Sequence, residues 1–273
     1  EIKYIYRNEP QIMELNLVSV SRSIQYLRYK PDKTEIIKGE IIAEAEATLM
    51  VNGEDWITFM CTPTHLDALG IGFLFNEGVI NSINEIEVWQ ICESNIIDVW
   101  LSHKAEKPTV WRRTSGCSGG QTTQTVPVNS PPVNNTIRIT PQDIFENMSK
   151  LIKSQEIYKQ AHGIHCSAIS DGKSLQNVAE DIGRHNTLDK LAGLMLLEGA
   201  DLDSGILLTT GRISSEMLQK AGRMRLPIVI SMTSPTSGSI AIAEVLGITL
   251  IGYARGKSFN VYTNSDSVIL DNE

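Results

Sequence analysis

The chain has 273 residues and a mass of 30.2 kDa, above the usual single-domain size, so one large α/β unit or two modest domains are expected. Lys and Arg number 24 against 32 Asp and Glu, and the net charge of −8 with a pI near 5.2 excludes broad attraction to nucleic acid or an anionic membrane, while a local basic patch stays possible. Hydrophobic residues at 41% and charged residues at 21% exclude disordered, collagen-like and coiled-coil classes. No apolar run reaches the length of a membrane span, and the polar start (Glu1, Lys3, Arg7, Glu9) has no signal-peptide core, so the expectation is a cytoplasmic protein without membrane or nucleic-acid partners.

In chain order, alternation over Ala45–Val51, then Asn52-Gly53, then residues 56–60 predicts a hairpin with a type I′ turn. Thr62-Pro63-Thr64-His65 predicts a helix start with Thr62 as N-cap and Pro63 in the first position, followed by Leu66, Leu69, Phe73 and Leu74 at helical spacing and closed near Gly78. Strands over 85–91 and 96–101 complete an α+β N-terminal half. Residues 114–136 contain no charged residue, histidine or aromatic and cannot build a core, which fits a flexible linker or a mobile functional loop. Thr140-Pro141-Gln142-Asp143 opens a helix to about Ser154. A hairpin over 164–169 and 175–179 turns at Asp171-Gly172, and a helix spans 185–197. Strands over 206–210, 228–232 and 248–254 alternate with helices over 214–222 and 237–246, which predicts a parallel sheet covered on both faces.

Four cysteines, Cys61, Cys92, Cys117 and Cys166, are scattered with no C-x-x-C pair, which removes zinc-ribbon and thioredoxin signatures. Cys61, Cys92 and Cys166 sit at or in strands and read as buried structural thiols. Cys117 lies in Ser115-Gly116-Cys117-Ser118-Gly119-Gly120, where glycines permit close approach and the upstream Arg112 and Arg113 favour thiolate.

The run from Glu180 to Lys190, EDIGRHNTLDK, is a dense polar stretch between a strand and a helix. Read as an anion site, Gly183 and the helix N-terminus offer N–H groups, with Arg184 and His185 as donors and Asp181 beside them; a capped, solvated helix start is the other reading. Ser234, Thr236, Ser237 and Gly238 lie after one strand, and Thr210 and Arg212 after its neighbour, where the carboxyl edge of a doubly wound sheet cradles phosphates or simply turns. His165 is either a satisfied core histidine or a site residue.

The EDIGRHNTLDK run resembles the E-D-[VI]-G-R-H-x-x-[LV]-D-K signature of the formate dehydrogenase accessory sulfurtransferase family, and Gly72 to Ile80, GFLFNEGVI, resembles its G-F-x-x-[ST]-E-G-[IV]-I with Asn76 in place of the hydroxyl residue. The resemblance covers most of the chain from about Glu40 to Thr263. It implies a sulfur carrier that takes persulfide sulfur from a cysteine desulfurase and passes it to the bis-molybdopterin guanine dinucleotide cofactor of formate dehydrogenase, with Cys117 as the carrying thiol. Many relatives carry C-x-x-C there, whereas this chain has Gly120, so a disulfide within that motif cannot resolve the persulfide. His165 matches a family histidine. The resemblance also implies a C-terminal cytidine-deaminase-like three-layer α/β/α domain over 137–273, after a smaller N-terminal α+β domain over 1–113 and a loop over 114–136. Zinc deamination is not expected, because His185 is followed by Asn186-Thr187 and no cysteine lies in 213–219. Two alternatives are a cofactor-holding chaperone without sulfur transfer and a metal-dependent hydrolase. A homodimer is expected as the commonest assembly of such a chain.

Overall fold

The computed structural model describes residues 5–6, 19–108, 112–113, 121–122, 131–200 and 205–270. Strand β1 (Ile5–Tyr6) is followed by a two-stranded antiparallel ribbon, β2 (Ser21–Lys30) and β3 (Lys33–Ile42), which the sequence reading passed over. Next come β4 (Ala45–Val51) and β5 (Glu54–Cys61), joined as expected by Asn52 and Gly53 at φ 51° and 83°. Helix α1 (Leu66–Asn76) leads to β6 (Ile86–Cys92) and β7 (Ile96–Leu101). These strands form one sheet in the order β1-β6-β7-β4-β5. Short strands β8 (Arg112–Arg113) and β9 (Gln121–Thr122) pair with each other.

Helix α1 begins three residues later than the Thr62-Pro63 signal suggests, with His65 at its N-cap in a left-handed conformation. A long-range partner outcompetes the local cap: the Thr62 hydroxyl accepts from the Ile182 N–H at 3.2 Å and its own N–H donates to Asp181 at 3.1 Å.

The second half runs α2 (Pro141–Ser154), α3 (Ile157–Ala161), β10 (His165–Ser170), β11 (Leu175–Asp181), α4 (Arg184–Glu198), β12 (Ile206–Thr209), α5 (Ser215–Arg223), β13 (Ile228–Ser231), α6 (Ser237–Leu246), β14 (Thr249–Arg255) and β15 (Ser258–Thr263). The sheet order is β11-β10-β12-β13-β14-β15. Only β12, β13 and β14 are mutually parallel; the two hairpins add antiparallel strands at either edge, so the sheet is mixed rather than parallel. Alternation along the central strands sorts its faces. Leu207, Val229 and Leu250 pack with α4, α5 and α6, while Ile206, Leu208, Ile228, Ile230 and Ile251 pack with Ile144, Met148 and Leu151 of α2. Helices therefore cover both faces.

Helices α1 and α4 cross at backbone contact. A Cβ on Gly72 would lie 1.8 Å from the Asp189 carbonyl oxygen, and one on Gly193 would lie 2.0 Å from that of Ala68. Through this crossing Leu49, Ile97 and Val99 of the first sheet share one core with Leu188, Leu191 and Met217. The end of the uncharged stretch also packs, against the expectation that it builds no core: Val133 is buried, its N–H donates to Leu246 O at 2.7 Å, and the Asn135 amide reaches Thr249 Oγ1 at 3.0 Å and Ser267 Oγ at 2.9 Å. Among the described residues no helix is long and apolar enough to cross a membrane.

Candidate functional site at the strand ends of the second sheet

The site begins at the last residue of β11. The Asp181 side chain is wholly buried; its Oδ1 accepts from the Gly183 N–H at 2.8 Å and from Asn186 Nδ2 at 2.8 Å, and its Oδ2 pairs with Lys190 Nζ at 2.6 Å. Lys190 Nζ, also fully buried, donates to Thr62 O at 3.0 Å, Thr64 Oγ1 at 3.2 Å and Glu180 O at 3.2 Å. Every lone pair and proton of this pair finds a partner, as a buried ion pair requires. The bonding fixes the turn at Ile182-Gly183 and so sets where α4 begins. It also changes two expectations: Asp181 and the Gly183 N–H are taken up inside the protein, so they hold the turn and do not face a ligand.

Arg184 and His185 open α4, and both are buried. The His185 pKa is pushed down to about 3, first by burial and then by the charges of Lys220, Arg184 and His165, so its imidazole is neutral at pH 7. Its Nε2 lies 3.3 Å from Ser214 Oγ, the hydroxyl that also caps α5. His165, at the start of β10, is half-buried, and burial and then Arg184 likewise lower its pKa.

The end of β12 closes over these groups. A Cβ on Gly211 would stand 3.1 Å from Arg184 Cβ and 3.6 Å from His165 Nδ1, so glycine lets this loop lie against both. Thr210 is fastened to β10, its hydroxyl accepting from the Cys166 N–H at 3.0 Å, and Arg212 is exposed. Ser231 Oγ donates to Gly211 O at 2.7 Å and the Met232 N–H to Thr209 O at 3.1 Å, tying the end of β13 to the same loop. The next loop is stitched on by Ile213 N–H to Ser234 O at 3.2 Å and Thr236 N–H to Ile213 O at 3.0 Å. Thr236 caps α6 through the Ser239 N–H, so its hydroxyl is occupied; Ser237 is exposed, and Gly238 leaves room for Ser215, whose Oγ would stand 2.3 Å from a Cβ there. The structure thus brings Arg184, His185, His165, Thr210, Arg212 and the loop of Ser234, Thr236, Ser237 and Gly238 to one carboxyl edge, where α/β sheets bind ligands.

A second buried ion pair escaped the sequence reading. Lys220 Nζ lies 2.6 Å from both Asp189 oxygens, and Asn76 Nδ2 donates to Asp189 Oδ1 at 2.8 Å. Charged residues in the otherwise apolar turn of α4 are the signal that could have found it. Cys61 and Cys166 are buried, with thiols pushed up to about 12 chiefly by burial; burial also raises the half-buried Cys92 thiol. Cys117 lies outside the described residues. Among the described residues no three of His, Cys, Asp and Glu are grouped so as to hold a metal ion.

The FdhD/NarQ family model matches residues 42–269. A protein of Bacillus licheniformis named sulfur carrier protein FdhD is 36% identical over 260 residues, covering 92% of this chain and 98% of that one. Proteins of the same name from Bacillus subtilis and Staphylococcus aureus MRSA252 are 35% and 33% identical, covering 88% and 92% of this chain and 95% and 97% of theirs. A solved structure from Desulfotalea psychrophila, assigned as a formate dehydrogenase accessory protein, superposes with a TM-score of 0.78 at 26% identity, over 92% of this chain and 100% of that one.

Proposed function

The chain belongs to the FdhD/NarQ family, and on that footing we propose that it is a sulfur carrier: Cys117 receives persulfide sulfur from a cysteine desulfurase and passes it to the bis-molybdopterin guanine dinucleotide cofactor destined for formate dehydrogenase. The observation that carries this reading is the match of relatives named sulfur carrier proteins across 92% of the chain. The other cysteines support the choice of thiol. Cys61 and Cys166, held near 12, do not ionise at neutral pH, and Cys92 is shifted the same way.

In the loading step the Cys117 thiolate attacks the outer sulfur of the donor persulfide. The donor S–S bond breaks, the donor cysteine leaves as thiolate, and Cys117 carries the sulfur as a persulfide with no net change in oxidation state. Release as sulfide takes two electrons, which a thiol supplies by closing a disulfide onto Cys117. Gly120 removes the neighbouring candidate, so that thiol comes from outside the motif.

The cofactor is cargo, and its dinucleotide tails suit the strand-end site. Arg184, Arg212 and Thr210 with the 234–238 loop face its phosphates, neutral His185 and His165 line the interior, and Asp181 with Gly183 positions the turn. The second half, with helices on both faces of a mixed sheet, is the part we relate to the cytidine-deaminase-like scaffold.

The test is intact-mass analysis after incubation with a cysteine desulfurase and cysteine. One added sulfur located on Cys117, absent from Cys117→Ala, is the expected result. No adduct on the wild-type chain overturns the carrier role; with guanine nucleotide binding intact, it leaves the cofactor-holding chaperone that Gly120 favours.

A further inference from the structure

The first sheet holds a charge imbalance that the strand-end site does not use. Residues 45–61 and 86–101, which form β4–β7 and their hairpin turns, contain Glu46, Glu54, Asp55, Glu87, Glu93 and Asp98 but no Lys, Arg or His, so this sheet supplies most of the net charge of −8. Among the described residues none of the six joins an ion pair. Asp98 is met by an amide instead, its Oδ2 accepting from Gln90 Nε2 at 3.0 Å. Strand register sorts the two faces. Ala47, Leu49, Ile97 and Val99 are buried in the shared core, where Gly70 of α1 lies against Ile97 and Leu49. Their alternates take the outer face: Met50 and Gln90 flank Asp98 on either side, and Val88 pairs with Trp100. Trp100 is 42% exposed there, an aromatic of the kind that anchors protein interfaces.

The chain leaves this sheet on its way to Cys117. After β7 the Asn52 amide donates to His103 O at 3.2 Å and Lys107 Nζ donates to Asp55 O at 2.6 Å, tying residues 103–107 to the β4–β5 hairpin. Cys117 follows Lys107 by ten residues, so it lies within about 35 Å of that anchor, in reach of a protein seated on the outer face. We infer that this face is the docking surface for the enzyme that donates the sulfur, which meets it with a basic surface and an apolar contact for Trp100. The inference rests on the sulfur-carrier reading and adds to it the surface where the donor sits. Charge selects the occupant: uncompensated carboxylates repel nucleic acid and anionic lipid, and two copies of the chain meeting face to face through this sheet repel each other, whereas a cationic protein surface is attracted and steered.

The experiment loads the full chain with sulfur from two donors, a purified cysteine desulfurase with cysteine and, separately, cysteine persulfide, and follows the rate by intact mass. The small donor needs no docking: the Cys117 thiolate attacks its outer sulfur, the S–S bond breaks and cysteine leaves as thiolate. Trp100→Ala and the double reversal Glu46→Lys with Glu87→Lys are each expected to slow enzyme-dependent loading by about 10-fold or more, while loading from cysteine persulfide stays within about 2-fold. Glu46 and Glu87 are exposed, so the reversal keeps the test usable should Trp100→Ala fold poorly. Raising the salt slows enzyme-dependent loading of the wild type and leaves the reversal variant nearly unaffected. Glu244→Lys, on the exposed side of α6, changes the net charge away from this face and is expected to load normally. Unchanged enzyme-dependent loading in both variants overturns the docking surface, as does a loss equal for the two donors or one that Glu244→Lys reproduces. A wild-type chain that takes sulfur from neither donor overturns the carrier reading beneath it, a distinguishable failure.

Discussion

Replacing Gly72 by alanine tests the claim that the two halves are one body joined at the α1–α4 crossing. The added methyl would stand 1.8 Å from the Asp189 carbonyl oxygen and 2.6 Å from Gly193 N. Carbon and carbonyl oxygen rest about 3.3–3.6 Å apart, so the crossing must open by about 1.5 Å. Overpacking that side chains can absorb costs about 1–3 kcal/mol, but here both walls are backbone and neither can rotate away. Displacing Asp189 also strains its bonds to Lys220 and Asn76, and breaking a buried pair outright costs about 3–5 kcal/mol. A loss of about 3–5 kcal/mol follows, a large share of the roughly 5–15 kcal/mol available to a folded protein. Urea unfolding of Gly72→Ala, followed by tryptophan fluorescence and far-UV circular dichroism, reads this as a lower midpoint with the two probes still coincident. Gly193→Ala, with its Cβ 2.0 Å from Ala68 O, behaves the same, whereas Gly256→Ala meets nothing within 4 Å and loses only the modest cost of its φ of +64°. A Gly72→Ala loss no larger than that of Gly256→Ala refutes the backbone-contact argument.

Two more outcomes follow from the buried charges. His185 is neutral in the folded chain down to about pH 3 but takes a proton near 6.5 when unfolded, so the unfolded state binds more protons between those limits. Stability is therefore complete above pH 6.5 and falls as pH drops, by at most about 1.4 kcal/mol per pH unit for this one group. His165 adds to the same slope. His185→Gln flattens urea midpoints plotted from pH 7 to 4.5; an unaltered slope contradicts the assignment. Lys190→Met leaves the Asp181 carboxylate buried without its cation and costs about 3–5 kcal/mol, part of which Asp181→Asn restores in the double variant. A single-variant loss below about 1 kcal/mol would show that the pair is not a closed unit.

Local chemistry made much of this architecture legible. Asn52-Gly53 specified its hairpin, and Thr140 with Asp143 formed the capping box that opens α2, because each signal acts within one turn of chain. What failed was set at long range. Thr62 has every local mark of a cap, yet Asp181 and Ile182, far along the chain, take its polar groups. The β2–β3 ribbon stayed hidden because Leu27, Tyr29 and Ile36 point outward, at 66%, 75% and 74% exposure, so burial never imposed the polar-apolar alternation that marks a strand. In the site, spacing placed Arg184 and His185 at a helix start and the serine and threonine loops at strand ends. It could not show that Asp181, Gly183 and the Thr236 hydroxyl are occupied internally, nor that Lys220 meets Asp189 across two helices.

The two buried ion pairs have a common logic. Asp189 and Lys190 are consecutive in α4, so their side chains diverge by about 100° around the helix. One reaches Lys220 of α5 and Asn76 of α1; the other reaches Asp181 of β11 and the Thr62-Thr64 turn. Any rotation of α4 that improves one set of bonds breaks the other. Buried pairs contribute little net stability against apolar replacements, so their value here is angular: they fix α4 about its own axis. Arg184 and His185 occupy the first turn of that helix, the Arg184 stem packed against Gly211 and His185 against Ser214, so a rotation of the helix would pull both away from the strand-end loops. The clamp therefore holds Arg184 at the strand-end edge beside His165, whose pKa is lowered first by burial, then by Arg184, and further by Arg212 against the opposing charge of Asp181.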